Sequence, residues 1–245
     1  MYAWLGLCHL QKAYYKSYKL NKKLKVSNIA IIDFGMGNLH SVARAMQYAA
    51  PEANIKICSS AEEIKKADKL VLPGQGAMLD SMRNIEKLNL IELIKNSVSE
   101  KPMLGICVGE QMLFDYSLEN GCVKCLELLR GSVKQFSGDH FFNSDNLQEK
   151  QNANRLKVPH MGWNKVHQKQ DHYLWKDIPQ NTHFYFVHSY YVCPEDKRIV
   201  VGETDYGLSF TCAIASDNIF AVQFHPEKSS KYGLILYRNF ANWKI

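Results

Sequence analysis

No apolar run in this sequence is long enough to cross a lipid bilayer, which takes about 20 residues in a helix. The N-terminal region also lacks the order of a secretory signal, whose charges precede its apolar stretch. The seven cysteines are an odd number, so they do not form a complete set of disulfides. These absences predict a cytoplasmic protein with reduced thiols and no membrane contact.

Acidic residues are missing from the first 25 positions, which carry six lysines and no arginine. The remaining 220 residues carry 24 basic and 24 acidic side chains, so the formal net charge of +6 belongs to this tail. A nucleic-acid surface needs a basic stripe with interleaved aromatic residues, and the body of the chain has none. We therefore expect no nucleic-acid partner.

The composition changes abruptly at Val26. We interpret residues 1–25 as a basic tail outside the fold and residues 26–245 as one domain, which suits the length and the apolar content. Three interpretations of the tail remain open: a stretch translated upstream of the true start, a mobile arm, or a surface helix packed by Tyr14, Tyr15 and Tyr18. We favour the first two and assign the tail no function.

The order of the periodic segments predicts an α/β fold without internal repeats. Apolar strand-like runs at 28–34, 54–58, 69–72 and 102–106 alternate with helix-like segments at 39–50, 77–88 and 90–98, which favours a central, mostly parallel sheet flanked by helices. Strand-like runs at 182–192, 200–204, 208–215 and 219–224 make the second half strand-rich and predict a mixed or antiparallel extension. The polar segment 137–155 has no period and is interpreted as a loop or a partly disordered excursion.

Cys107 lies where a buried strand gives way to a helix. We predict that the strand ends at Ile106 and the helix begins after Gly109, so Cys107 occupies the sharp turn between them, as in a nucleophile elbow. A helix N-terminus that points at the sulfur favours thiolate over thiol. The backbone N–H of Val108 is then free to bind an oxyanion.

A second constellation is formed by His225, Pro226 and Glu227. Side chains two apart on an extended chain share a face, and the proline biases His225 toward an extended conformation. The imidazole and the carboxylate are therefore expected side by side, where the carboxylate fixes the tautomer of the histidine and stabilises its imidazolium form. Together with Cys107, this pair predicts a cysteine-based catalytic triad.

Two other motifs are incomplete. Cys122 and Cys125 form a CxxC motif, but no second pair follows at zinc spacing. Gly35 and Gly37 follow a strand, but the third glycine of a dinucleotide fingerprint is missing. We therefore predict neither a metal site nor a nucleotide cofactor.

The segments around the triad resemble a known family. The heptapeptide GICVGEQ at 105–111 is similar to the Gly-x-Cys-x-Gly-x-Gln signature of class I glutamine amidotransferases, and the tripeptide at 225–227 is similar to their second motif. More narrowly, the segments at 33–38, 72–76, 158–164, 185–190 and 223–229 resemble those of the glutaminase subunits that serve histidine biosynthesis. The resemblance runs from Asn28 to the C-terminus.

The resemblance implies that L-glutamine is the substrate and that no cofactor is needed. Cys107 would attack the side-chain amide, His225 would protonate the leaving ammonia, and Glu227 would orient His225. The oxyanion donors would be the backbone N–H groups of Val108, Gly74, Gln75 and Gly76. The residues implied to hold the α-amino and carboxylate groups of the substrate are Gln111, Glu119, His188, Ser189 and Tyr190.

The family also implies a partner, because ammonia released into neutral water is mostly protonated and no longer a nucleophile. The expected acceptor is a (β/α)8-barrel cyclase subunit, bound as a heterodimer, that makes imidazole glycerol phosphate and AICAR. The residues that the resemblance puts near this interface are Asn38, Trp163, Tyr185 and Lys228.

Two residues depart from the family pattern. Gln75 stands where a small or branched apolar residue is usual, and the carboxylate of Glu110 would disfavour a thiolate by charge repulsion while interacting well with the helix dipole. Three alternatives stay open: a paralogous glutaminase that feeds a barrel-type amidating enzyme in surface-sugar synthesis, a stand-alone cysteine hydrolase, and a regulatory subunit that has lost activity.

Overall fold

Short runs of Ile, Leu and Val form the buried strands of a parallel sheet in a computed structural model, which describes residues 26–143 and 155–245. The predicted tail at 1–25 lies outside the described residues. The strands are β1 Asn28–Ile32, β2 Asn54–Cys58, β3 Lys69–Gly74, β4 Met103–Cys107, β5 Tyr116–Ser117, β6 Val123–Lys124, β7 Gly131–Gln135, β8 Phe141–Asn143, β9 Leu156–Val158, β10 His160–Gln168, β11 Thr182–His188, β12 Tyr190–Pro194, β13 Val200–Asp205, β14 Ser209–Ser216 and β15 Ile219–Val222.

The described helices flank this sheet. They are α1 Leu39–Ala49, α2 Ala61–Lys66, α3 Met78–Lys87, α4 Ile91–Ser97, α5 Val108–Gln111 and α6 Ser230–Asn242, with 3₁₀ turns at Tyr173–Trp175, Lys197–Ile199 and Pro226–Lys228. Local sequence explains where several begin: Asn38 accepts a hydrogen bond from the backbone N–H of Ser41, and Ser60 does the same for Glu63. No described helix is both long and apolar enough to span a membrane.

The main sheet has a parallel half and a largely antiparallel half. Its strand order is β2-β1-β3-β4-β15-β14-β12-β7-β5-β6. A branch leaves this order at β14, where β14 pairs with β13, β13 with β10, and β10 with β11. Strand β15 pairs in parallel with β4 and antiparallel with β14, so the β4–β15 pair is the seam between the halves. The predicted mostly parallel sheet with a strand-rich second half is confirmed.

Several predicted boundaries are wrong. The segment predicted as one strand at 182–192 is divided at Ser189 into β11 and β12. The segment 137–155 is not wholly a loop, because β8 pairs with β9, while residues 144–154 lie outside the described part. Sequence patterning also missed β10 and α6.

Candidate functional site

Cys107 is the last residue of β4 and directly precedes α5. Its φ of 56° lies in the left-handed region, which a non-glycine residue rarely adopts and which marks a nucleophile elbow. The predicted helix start after Gly109 is wrong, because α5 begins at Val108 and is a single turn. So short a helix has little dipole with which to stabilise a thiolate.

Close packing against the neighbouring strand holds this turn. A Cβ atom on Gly109 would lie 1.8 Å from the backbone oxygen of Leu72 in β3. Only glycine therefore lets α5 lie directly on the parallel sheet. The register also brings Gly74, at the end of β3, opposite Cys107.

His225 and Glu227 lie in the turn that follows β15. Their side chains are 7% and 2% exposed, and His225 Nδ1 lies 2.8 Å from Glu227 Oε1. The strand from which we predicted this proximity ends earlier, at Val222. A 3₁₀ turn after an extended His225 brings the two side chains together instead.

Strand β11 anchors this turn through the backbone. The N–H of His225 donates to the carbonyl oxygen of Tyr185 at 2.9 Å, and the N–H of Tyr185 donates to the hydroxyl of Ser229 at 3.0 Å. The Ser229 hydroxyl donates in turn to the carbonyl oxygen of His225. The imidazole is therefore fixed relative to both halves of the sheet.

The charges around His225 favour its imidazolium form. Burial alone would lower the pKa of His225, but Cys107 and Glu227 outweigh it and raise the pKa to about 10. The Nε2 atom makes no hydrogen bond of normal geometry with any described residue, although Cys107 is close enough to shift its charge state. At neutral pH this site holds an imidazolium beside a sulfur nucleophile.

Glu110 does not carry the charge that its sequence position suggested. Its side chain is fully buried, and neither carboxyl oxygen has a hydrogen-bond partner among the described residues. Burial, and to a smaller extent Cys107, raises the pKa of Glu110 well above its usual value. The carboxyl group is therefore neutral, and the expected repulsion of a thiolate is absent.

One pocket brings most of the sequence-predicted residues together. Cys107 and His225 line this pocket together with three of the predicted oxyanion donors, Gln75, Gly76 and Val108. All five residues predicted to bind the substrate also line it: Gln111, Glu119, His188, Ser189 and Tyr190. Gly74 is not among the lining residues, and Glu227 lies behind His225. Lys228 and Val187 also line the pocket, and Val187 carried no chemical signal in the sequence.

Gln111 and Glu119 also make bonds within the protein. Gln111 Nε2 donates to the carbonyl oxygen of Tyr190 at 3.0 Å and to Gln223 Oε1 at 2.8 Å. Glu119 Oε2 accepts the backbone N–H of Met78 at 2.6 Å and so caps α3, which has no side-chain cap of its own. Both pocket side chains are thus held in place by the fold.

His188 belongs to a buried histidine pair. His188 Nδ1 lies 2.8 Å from the carbonyl oxygen of Tyr190, and its Nε2 lies 2.9 Å from His160 Nδ1. A carbonyl only accepts, so His188 carries its proton on Nδ1 and His160 donates to it. Burial lowers the pKa of His160 to about 4, and burial followed by the neighbouring His160 lowers the pKa of His188 to about 3.

Three of the four residues expected near a partner form one cluster. The rings of Trp163 and Tyr185 meet edge to face with centroids 6.1 Å apart, and Lys228 Nζ lies 5.6 Å from the centroid of Tyr185. Trp163 is 53% exposed, and Met161 on the same strand is 58% exposed. Asn38 lies outside this cluster, where it is exposed and caps α1.

Two polar residues of the site had no local sequence signal. The hydroxyl of Tyr237, in α6, donates to Glu227 Oε2 at 3.1 Å, and burial raises the pKa of Tyr237 well above its usual value, so it keeps the proton it donates. Gln223 Nε2 lies 3.6 Å from Cys107 Sγ. The helical spacing of apolar residues over 230–242 would have predicted α6, but not which side chain reaches the triad.

Residues 30–242 match the family model described as glutamine amidotransferase class-I. Among curated proteins, the imidazole glycerol phosphate synthase subunit HisH of Nitrosospira multiformis is 50% identical, covering 89% of this chain and 99% of its own length. The subunit of the same name from Aromatoleum aromaticum is 48% identical with the same coverage of each chain.

Solved structures resemble the fold at low sequence identity. A glutamine amidotransferase crystal structure superposes with a TM-score of 0.62 at 14% identity, covering 87% of this chain and 97% of its own. A glutamine amidotransferase from Thermotoga maritima superposes with a TM-score of 0.54 at 15% identity, covering 85% of this chain and 79% of its own. These likenesses concern the fold alone.

Proposed function

Because this chain belongs to the class-I glutamine amidotransferase family, we propose that it is the glutaminase subunit of an imidazole glycerol phosphate synthase and hydrolyses L-glutamine to glutamate and ammonia. The observation that carries the chemistry is the joint placement of three side chains. Cys107 and His225 face one pocket, and Glu227 holds the far nitrogen of His225 at 2.8 Å.

The first half of the reaction follows from these positions. Cys107 Sγ attacks the side-chain carbonyl carbon of glutamine, and the carbonyl oxygen takes up the negative charge. The backbone N–H of Val108 and those of the exposed Gln75–Gly76 loop, which line the pocket beside Cys107, donate to this oxygen. The C–N bond breaks as the imidazolium of His225 gives its Nε2 proton to the amine, which leaves as ammonia.

The second half returns the enzyme to its starting state. His225, now neutral, takes a proton from a water molecule that attacks the thioester carbon. The C–S bond breaks, glutamate leaves, and the sulfur is again paired with an imidazolium. Glu227 keeps its hydrogen bond with His225 Nδ1 throughout, and Tyr237 keeps its carboxyl group oriented.

Substrate selection rests on groups at the opposite wall of the pocket. Glu119 provides a carboxylate for the α-ammonium group of glutamine. Ser189 lies between β11 and β12, and Tyr190 begins β12. Both line the pocket, where their backbone N–H groups and the Ser189 hydroxyl bind the α-carboxylate. Gln111 and His188 act mainly by holding Tyr190, since their N–H groups donate to its carbonyl oxygen.

A partner is required for the ammonia to be used, and the relatives are named as subunits of a synthase. Met161 and Trp163 expose an apolar face of β10, and Tyr185 and Lys228 connect this face to the pocket. We place the (β/α)8-barrel cyclase subunit on this face, as a heterodimer that receives ammonia without its escape into water. Asn38 contributes to this contact through the exposed start of α1.

The test is glutamate release by the purified chain beside Cys107→Ser, with and without a barrel cyclase and its ribulosyl nucleotide substrate. We expect at least about a 1,000-fold loss in Cys107→Ser and a rise in the wild type when the cyclase pair is added. Cys107-dependent release that ignores the cyclase contradicts the histidine-pathway assignment. No release under any condition contradicts the glutaminase itself.

A further inference from the structure

Gln223 touches the nucleophile, and the reaction described above does not use it. The residue directly follows β15 and is fully buried. Its Nε2 atom lies 3.6 Å from Cys107 Sγ, within the distance of an N–H···S hydrogen bond. A buried amide aimed at a reacting sulfur is placed to affect the charge and direction of that sulfur.

The orientation of this amide is fixed by its neighbours. The carbonyl oxygen of Tyr190 only accepts hydrogen bonds, so the group of Gln111 that faces it is the NH₂. The second N–H of Gln111 then requires an acceptor, which is Gln223 Oε1 at 2.8 Å. Gln223 therefore presents its NH₂ group, and not its oxygen, to Cys107.

The carbonyl oxygen of Tyr190, on which these bonds depend, accepts two hydrogen bonds. The carbonyl oxygen of Tyr190 accepts from Gln111 and also from His188 Nδ1, whose ring is fixed by His160. Each of these side chains is at least partly enclosed by the fold, and His160 stacks on Tyr206 with ring centroids 4.1 Å apart. Reversal of the Gln223 amide would break both of its bonds and bring its NH₂ group against that of Gln111.

The sulfur gains most from this donor when it is charged. A hydrogen bond to an anion is stronger than one to a neutral acceptor, so a donor at the sulfur favours thiolate over thiol. The single-turn helix α5 offers little dipole for the same purpose, and neutral Glu110 offers no opposing charge. Gln223 and His225 are then the described side chains that stabilise the thiolate from two sides.

We propose that Gln223 is a catalytic residue of the glutaminase, whose amide donates a hydrogen bond to Cys107 Sγ that stabilises and aims the thiolate, and that Gln111 is the positioning residue that orients it. This inference rests on the proposed function for its consequence in turnover. The contact with the sulfur is testable without glutamine.

The experiment measures iodoacetamide alkylation of the full-length chain against pH, with each cysteine followed by mass spectrometry. Exposed Cys122 is the internal reference thiol, since it does not line the pocket. In Gln223→Met we expect alkylation of Cys107 at pH 7 to fall about tenfold and its half-maximal pH to rise by about one unit. The Cys122 profile stays unchanged.

Gln168→Met is the matched control. It also removes a glutamine whose Nε2 donates hydrogen bonds, here to the carbonyl oxygens of Ile178 and Pro179, away from the pocket lining. We expect its Cys107 profile to equal that of the wild type. A Gln223→Met profile that also equals the wild type, in a protein that melts cooperatively, overturns the proposal.

Turnover provides the second readout. Gln223→Met should lower kcat for glutamine about tenfold with KM unchanged, whereas a raised KM at constant kcat would assign Gln223 to substrate binding and refute the proposal. If Gln223→Met does not fold, Gln111→Met takes its place, because the amide of Gln223 can rotate once Gln111 no longer holds it. The half-maximal pH of Cys107 alkylation should then rise as well. If glutamine is not hydrolysed by the wild type, the proposed function fails while the alkylation result still decides the contact.

Discussion

Buried histidines have opposite charge states in two regions of this molecule. At the seam between β4 and β15, the charges of Cys107 and Glu227 overcome burial and hold His225 as an imidazolium. In the antiparallel half, burial among aromatic rings keeps His160 and His188 neutral. The same side chain, equally hidden from water, is an acid in one region and a structural hydrogen-bond link in the other.

The difference shows that partners, and not depth, determine what a buried histidine does. His225 faces ionisable groups on both of its nitrogens, whereas the histidine pair faces each other, a backbone carbonyl and Asn164. The proton that can be transferred is therefore confined to the seam. Changing the neighbours of His225 or of the His160–His188 pair should therefore change the protonation state of these histidines.

The largest effect is expected from Glu227→Gln, which removes one of the two charges at the seam. The neutral amide cannot stabilise the imidazolium, so we expect glutaminase activity to fall at least about 100-fold and the pKa of His225 to move toward its usual value. Histidine titration by NMR should show no change at His160, whereas the pKa of His188, which the charge of His225 helps to lower, should rise slightly. Full activity in Glu227→Gln would contradict the triad.

Glu203→Gln is the control for this change. Glu203 pairs with Lys169 at 2.9 Å in the antiparallel half, where both side chains are partly exposed. Its loss should leave turnover and the titration of His225 within error of the wild type, because an exposed ion pair contributes little.

The second-largest effect compares how tightly the two halves pack, through one glycine-to-alanine substitution in each. Gly109→Ala places a Cβ atom 1.8 Å from the Leu72 carbonyl oxygen in the parallel half, and we expect a loss of about 3 kcal/mol in the free energy of unfolding. Gly121→Ala, between β5 and β6, meets nothing within 4 Å and has only its φ of 108° to strain, so we expect about 1 kcal/mol. Urea titration of both variants checks this order, and equal losses would refute the close approach of α5.

Acid pH should weaken the antiparallel half first. The pKa values of His160 and His188 are lowered to about 4 and about 3 by burial, as that of His172 is to about 4, so unfolding takes up protons below the usual histidine pKa. For each of these three histidines, the stability is present above about pH 6.5 and is lost as the pH falls toward 4, by roughly 2 kcal/mol per histidine between pH 7 and 5. The raised pKa of His225 acts in the opposite direction, since its stabilisation is complete at low pH and is lost as the pH rises toward 10.

Thermal unfolding measured from pH 7 to pH 5 checks this expectation. His160→Gln should flatten the pH dependence of Tm over that range, whatever its effect on Tm at pH 7. A wild-type Tm that does not change between pH 7 and 5 would show that the histidine pair is not held neutral.

The smallest effect is expected from Tyr237→Phe, which removes one hydrogen bond to Glu227 and keeps the ring. We expect kcat to fall about fivefold, corresponding to about 1 kcal/mol, with KM for glutamine unchanged. Tyr232→Phe, at a half-buried ring of the same helix outside the pocket lining, should be neutral in the same assay. An unchanged kcat in Tyr237→Phe would show that Glu227 needs no second support.

Sequence alone predicts the parallel half better than the antiparallel half. The predicted strand at 54–58 coincides with β2, an edge strand in which the buried Ile55 and Cys58 are separated by exposed Lys56 and half-buried Ile57. Strand β10 was missed because its exposed residues include Met161 and Trp163, which inverts the usual alternation of apolar and polar faces. No element was predicted over 230–242, although α6 has helical spacing of apolar residues; Gly233 within it lets the helix lie close to the preceding turn, since a Cβ there would be 1.9 Å from the Pro226 carbonyl oxygen.

In the candidate site, the sequence predicts the features that depend on neighbouring residues and misses those that depend on the tertiary fold. Local motifs predict that Cys107 lies in a sharp turn and that His225 and Glu227 lie side by side, since each depends on residues within a few positions. Tyr237 and Gln223 reach their partners only through the folding of α6 and the pairing of β15 with β4. The neutrality of Glu110 follows from complete burial, which no local pattern reveals.

The position of β15 also sets an order of events during synthesis. It lies between β4 and β14, yet both precede it in the chain. A ribosome therefore delivers Cys107 long before His225 and Gln223, and the central strand of the finished sheet is inserted last. Until then the sulfur has neither of these partners, so a nascent chain does not hydrolyse glutamine before its last strand is in place.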